Sequence, residues 1–290
     1  MKSLFASLAF LLLSAAAPEP APEVRPALWK IADADTTLYL FGTVHALPRD
    51  LDWRTDAFDK AFAAADTLTV EVVPDADPSA MLAPMFRLGL SPGLPPLEAR
   101  VAEENRPALT DLIAKSAVPA EALDQMENWL AALMLLGPSL ADAGVDPGSG
   151  ADNALIAEAQ TRKLALIGLE TAEQQLGYFD QLGEADQAML LNAVIEDSRT
   201  ARDLFHQMLD AWSKGDVATL GQVASDEMKA TPGLQEALLT RRNARWAEWL
   251  RKRLETPGTV LVAVGAAHLA GADSVQDMLK KQGVTVSRVQ

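Results

Sequence analysis

The stretch Thr259-Val260-Leu261-Val262-Ala263-Val264-Gly265-Ala266-Ala267-His268 decides how this chain is read. Its first six residues form an uncharged, β-branched and aliphatic run, the pattern of a strand buried inside a sheet. Such a strand needs neighbours on both edges. Working outward, Val284 to Val289 reads as a closing strand after a short helix over Ser274 to Gln282. At the other end of the chain, Leu28 to Ala32 and Thr37 to Phe41 are β-rich runs separated by Asp33-Ala34-Asp35, a hairpin with a polar turn. Thr67 to Val73 is a third strand, after an amphipathic helix near Arg54 to Ala65, and Leu164 to Ile167 is a short buried one. Between them the chain is helical: Arg100 to Lys115, Glu121 to Leu136, Asp152 to Arg162, Glu184 to Lys214, Asp216 to Lys229 and Leu234 to Leu254. The pattern predicts an α/β fold. Its central β-sheet is formed from N- and C-terminal strands and flanked by helices, with a large helical middle segment.

The chain has 290 residues, 49% of them hydrophobic, enough for a sizeable core. No long low-complexity linker follows Val24, so residues 24–290 read as one domain. The absence of cysteine excludes disulfide scaffolds, Cys-ligated zinc, iron–sulfur clusters and thiol nucleophiles. A formal net charge of -15 argues against nucleic acid as a partner, because neutralising phosphates needs a basic face. Met1-Lys2-Ser3, the apolar run Leu4 to Leu13 and the small residues Ser14 to Ala17 match a signal peptide, with a Pro-rich stretch following to Glu23. Export to a periplasm is the expectation, with an uncleaved anchor as its alternative. No later segment reaches the length of a membrane span.

Only three histidines occur. His45 closes Leu40-Phe41-Gly42-Thr43-Val44-His45, and His268 closes the opening stretch; both read as strand-Gly-x-x-His. A glycine at a strand end lets the backbone turn and approach a ligand closely, and such strand ends are where α/β folds place their sites. Two histidines in one repeated context, far apart in sequence, predict a site built from both ends of the chain. His206, mid-helix in Asp203-Leu204-Phe205-His206, has no such setting and reads as structural or surface. The sequence holds no H-E-x-x-H, G-x-S-x-G or P-loop. Met81 and Met85 lie in a loop and short helix after Glu71 and read as core filler or part of a lid.

These segments, taken with Glu71 in Thr69-Val70-Glu71-Val72, with Gly168-Leu169-Glu170-Thr171 and Gln174, and with Arg242-Asn243 and Trp246, resemble the TraB/GumN family, which is similar to the Tiki metalloproteases. The motifs keep family order from about Leu28 to Val289. One departure lies at Gly144 to Asp152, where the family's Gly-x-Asp element is extended, so that either Asp146 or Asp152 takes the aspartate's place. The resemblance implies a hydrolase in which His45, His268 and Glu71 bind a divalent metal ion (Mn, Co or Zn), Glu71 serving as ligand or general base. Such a donor set suits a borderline ion while leaving positions for water. It also implies that Arg242 and Asn243 face the site, orienting a carboxylate or stabilising an oxyanion. Glu170, at another strand end, would be a second carboxylate or the partner of Arg242. Arg245, Arg251, Lys252 and Arg253 read as surface. The expected substrate is a peptide or a small molecule, with peptide-bond hydrolysis foremost. A metal-free hydrolase of the erythromycin-esterase type, and a non-catalytic haem or ligand binder of the same fold, are the alternatives.

Overall fold

The strands read from sequence appear as β1 (Leu28–Ala32), β2 (Thr36–Thr43), β3 (Thr67–Val72), β4 (Ala165–Glu170), β5 (Gly258–Gly265) and β6 (Ser287–Arg288) in a computed structural model of the chain. The structure describes residues 24–290 apart from 49, 143–146, 199 and 229–231. The expected signal peptide, and Asp146, lie outside the described residues. The six strands make one sheet in the order β4-β3-β5-β2-β1-β6. Strands β4, β3, β5 and β2 run parallel, and β1 and β6 complete the sheet antiparallel. The predicted α/β architecture, with a sheet drawn from both ends of the chain, is therefore what the chain adopts.

Alternation along β2 and β5 explains why Leu38 to Phe41 and Val260 to Val264 are unbroken hydrophobic runs. Phe41, Leu261 and Ala263 pack on one face with Trp53, Phe58, Phe62 and Trp212. Leu38, Leu40, Val260, Val262 and Val264 pack on the other with Trp246 and Leu250. Successive side chains point to opposite faces, and here both faces are covered. A further apolar core, around Trp129, Leu130, Leu135 and Leu191, lies within the helical middle segment. Among the described residues no helix is long and apolar enough to cross a membrane.

Several boundaries differ from expectation. The strand expected at Leu164 to Ile167 runs on to Glu170 and is an exposed edge, since it pairs with β3 alone. The closing strand shrinks to Ser287–Arg288. The helix expected over Glu121 to Leu136 is broken: Ala120–Leu123 ends before a turn whose Asp124 carboxylate accepts the Leu97 N–H, and Asn128–Asp142 follows. Glu184 to Lys214 divides into Glu184–Asp197 and Ala201–Ser213, with the Ser198 hydroxyl donating to the Ile195 carbonyl at the break. The helix expected from Leu234 contains a π-helical segment, Glu236–Thr240, directly before the regular helix Arg241–Arg253. Periodicity does not register a π turn, which widens a helix by one residue without changing which residue types it tolerates.

Candidate active site

The carboxyl ends of the four parallel strands place His45, Glu71, Glu170 and His268 along one edge of the sheet. Thr43 lies opposite Gly265 in the β2–β5 register, so the turns that follow carry His45 and His268 out side by side. The helix Arg241–Arg253 lies over this edge, held by Trp246, Ala247 and Leu250 in the core, and directs Arg242 and Asn243 inward. Each motif glycine makes room for the other motif. A Cβ on Gly42 would meet the Ala266 Cα at 3.0 Å; one on Gly265 would meet Glu71 Oε1 at 3.1 Å and His45 Nε2 at 3.5 Å. Trp212 secures the first turn by donating its indole N–H to the Gly42 carbonyl at 2.8 Å.

Arg242 is buried and joins the two carboxylates. Its Nε donates to both oxygens of Glu170 at 3.1 and 3.0 Å, its Nη2 to Glu71 Oε2 at 2.6 Å, and its Nη1 contacts His268 Nε2 at 3.2 Å. Burial disfavours the guanidinium charge, but these carboxylates more than offset it and raise its pKa further. Glu71 also accepts from the Gly265 N–H at 2.7 Å and from Gln175 at 3.0 Å. Burial alone would push the Glu71 carboxyl up. His268, Arg242, the Gly265 N–H and His45 together hold it at about 2.

The two imidazoles are tethered in the same manner but their pKa values are shifted in opposite directions. His268 is driven down to about 3 by burial, against the pull of Glu71, so it is neutral at pH 7. Because Arg242 only donates, His268 Nε2 accepts, and Nδ1 carries the proton and donates to Asn243 Oδ1 at 2.6 Å. Asn243 is itself oriented by donating to the Asp273 carbonyl at 2.8 Å. His45 Nδ1 lies 3.3 Å from Asp152 Oδ2, and its side chain is 67% exposed. Its hydrogen bond to Asp152 raises its pKa above 6.5, outweighing desolvation. In both cases a side-chain oxygen occupies Nδ1 and leaves Nε2 turned to the site. Outer partners orient metal-binding histidines in this way.

Two imidazoles and a carboxylate are donor types that suit the divalent ion the sequence suggests. A second observation agrees. Thr43 Oγ1 and Asp152 Oδ1 are buried, belong to residues lining the cavity beside His45 and Glu71, and have no hydrogen-bond partner among the described residues. As the side chains stand, no three His, Cys, Asp or Glu groups among the described residues converge closely enough to hold an ion. The His268 Nε2 to Glu71 Oε1 distance is 3.8 Å, and the Arg242 guanidinium contacts both residues.

All six residues expected in the site thus lie in one network or cavity, with Glu170 engaged by Arg242 and Asn243 behind His268. Of the two aspartates left open, Asp152 is the one seen beside His45. Three participants escaped the sequence reading. Gln175 reaches Glu71, and Tyr178 donates to Glu170 at 3.0 Å. Arg245, read as surface, is 51% exposed yet donates to the Tyr178 hydroxyl at 2.8 Å and lies 3.6 Å from Glu170. Gln175 and Tyr178 follow the Thr171–Gln174 capping box, which starts the helix Ala172–Asp180. Their spacing of one and four residues beyond Gln174 was the available signal. His206 lies in an exposed position on the helix Ala201–Ser213, as read. Met81 lines a separate cavity with Glu170, and Met85 packs against the helical core.

A profile of the TraB/PrgY/gumN family matches residues 27–288. The chain is 28% identical to the uncharacterized protein YbaP of Escherichia coli (strain K12) over 246 residues, 83% of this chain and 87% of YbaP. It is 23% identical to an uncharacterized protein of Treponema pallidum (strain Nichols) over 274 residues, 88% of this chain and 80% of that protein. No solved structure matches significantly. The chain belongs to the TraB/PrgY/gumN family.

Proposed function

We propose that this member of the TraB/PrgY/gumN family is a divalent-metal-dependent hydrolase acting on peptide bonds, with His45, His268 and Glu71 as the metal ligands. The observation that carries the reading is the paired tethering of the imidazoles: Asp152 on His45 Nδ1 and Asn243 on His268 Nδ1, each leaving Nε2 facing the site. His268 is neutral, and Glu71 is ionised at neutral pH, the protonation states that a cation requires. A bound ion would supply an acidified water and a polarised carbonyl. Arg242 holds Glu71 in place and presents a permanent positive charge where negative charge develops on a substrate oxygen. Glu170 and Tyr178 fix that guanidinium from behind. Ligation by His268 requires its contact with Arg242 Nη1 to be given up. Export belongs to the same proposal; it rests on the Met1 to Ala17 pattern, and cell fractionation tests it.

Calorimetric titration of metal-stripped protein with Mn²⁺, Co²⁺ and Zn²⁺ tests the site. The expected result is saturable binding at one equivalent, lost in both His45→Ala and His268→Ala. A wild-type protein that binds none of the three ions sinks the reading. A second reading has its own observation in favour: the guanidinium already contacts His268 Nε2 and Glu71, as a resident cation would. There His45, backed by Asp152, takes the proton from water directly, as in a metal-free hydrolase. Activity that survives exhaustive chelation selects this second mechanism.

A further inference from the structure

Beside the polar residues of the sheet edge lies a cleft of about 490 Å³, within the size range of sites that enclose small ligands. One side is the sheet edge, with His45, Glu71, His268 and Arg242. The other is a wall of Leu133, Leu176, Phe179, Met208, Leu220 and Leu238. Four helices and the π-helical segment of the middle of the chain contribute these six side chains. The ring of Phe179 is set by stacking on Trp129 at 6.2 Å. The polar side chains of the lining belong to the sheet edge, to the helix that covers it, or to Gln175, which is engaged by Glu71. A charged or amide group pressed against the wall would lose its water and find no partner there. An aliphatic or aromatic group would exchange water for apolar contact.

We infer that this cleft binds a bulky apolar side chain of the substrate, leucine- or phenylalanine-like, and so places an adjacent amide beside His45, His268 and Glu71. The inference rests on the hydrolase reading for the identity of that amide; the preference for an apolar group rests on the wall alone. The helical middle segment then has a defined role, since it selects the substrate while the sheet edge supplies the reacting groups.

The test is binding without turnover. Metal-stripped, full-length protein is titrated, with detection by NMR chemical shifts, with the N-acetyl amides of glycine, glutamate, leucine and phenylalanine. The leucine and phenylalanine probes should bind about tenfold or more tighter than the other two. Leu238→Gln and Met208→Gln, both at partly exposed positions, should each shrink that advantage severalfold, with circular dichroism melts confirming the fold. Equal binding of the four probes, binding of none, or a full preference retained in the folded variants overturns the inference. The wild-type comparison stands without either variant. Failure here with metal titration intact removes only the pocket, whereas absence of metal binding with the preference intact removes only the metallohydrolase.

Discussion

Replacing Arg242 by methionine keeps an unbranched apolar stem and removes the charge between Glu71 and Glu170. In the native protein the Glu71 carboxyl is held at about 2 against an ordinary 4.5. At about 1.4 kcal/mol for each pKa unit, that shift corresponds to roughly 3 kcal/mol of stabilisation, an upper figure because part of it comes from His268. His268 gains its proton only near pH 3, so at neutral pH Arg242 and the Gly265 N–H do most of the holding. Removing one partner from a buried ion pair costs about 3–5 kcal/mol, which agrees in scale. For a chain of this size each kcal/mol moves the melting midpoint by about 2–4 °C, so Arg242→Met should melt roughly 6–20 °C lower at pH 7. The sign with pH follows from the direction of the shift. Glu71 is lowered in the folded state, so its contribution is complete above about pH 4.5 and fades as the pH falls toward 2. In the variant burial raises the stranded Glu71 carboxyl instead, so it becomes protonated as the pH falls, and the gap between the two proteins should narrow from pH 7 to pH 4.5. Differential scanning calorimetry across that range measures it. A variant melting within a degree of wild type at pH 7, or a gap that ignores pH, would refute the reasoning.

Other perturbations test neighbouring links. Asn243→Ala removes the oxygen that receives His268 Nδ1–H, and should weaken metal affinity by about 10- to 100-fold while the circular dichroism spectrum is unchanged. Unchanged affinity would show that the ring is oriented by packing on Trp246 instead. Asp152→Asn should lower the His45 pKa in metal-free protein, read by NMR titration of the ring protons, since the Asp152 hydrogen bond is the leading cause of its rise. A titration midpoint that stays put contradicts that assignment. Gly265→Ala puts a methyl group 3.1 Å from Glu71 Oε1, tighter than ordinary contact, and should abolish metal binding with only a modest fall in melting temperature. A fully metal-competent Gly265→Ala protein would show that the approach of β5 to Glu71 is not needed.

Legibility in the sequence followed physical cause. β5 and β2 were evident because a strand buried on both faces is hydrophobic through its centre, and both histidines could be paired because each follows such a strand by the same three residues past a glycine. Glu71 and Arg242 drew notice through family resemblance, and nothing in their local sequence announces the ion pair. Asp152 could not be separated from Asp146 by spacing, because the choice depends on where the turn after β2 brings His45. Gln175, Tyr178 and Arg245 were hidden for a related reason: polar residues on amphipathic helices look solvated until the partner helix is placed. The apolar wall of the cleft was equally invisible, since its leucines carry the same helical period as the leucines of the core.

The register that sets β2 beside β5 also dictates when the site comes into being. Glu71 and the Gly265 N–H that it accepts from are 194 residues apart in the chain. During synthesis the growing polypeptide carries His45 and Glu71 early, yet β2 and β3 lack the strand that lies between them until β5 emerges. Pairing over such sequence separations is slow because the intervening chain must first be brought to order. The site is thus incomplete for most of the chain's translation, and a product cut short before β5 would lack His268, Arg242's contact with it, and the central strand that holds β2 and β3 together.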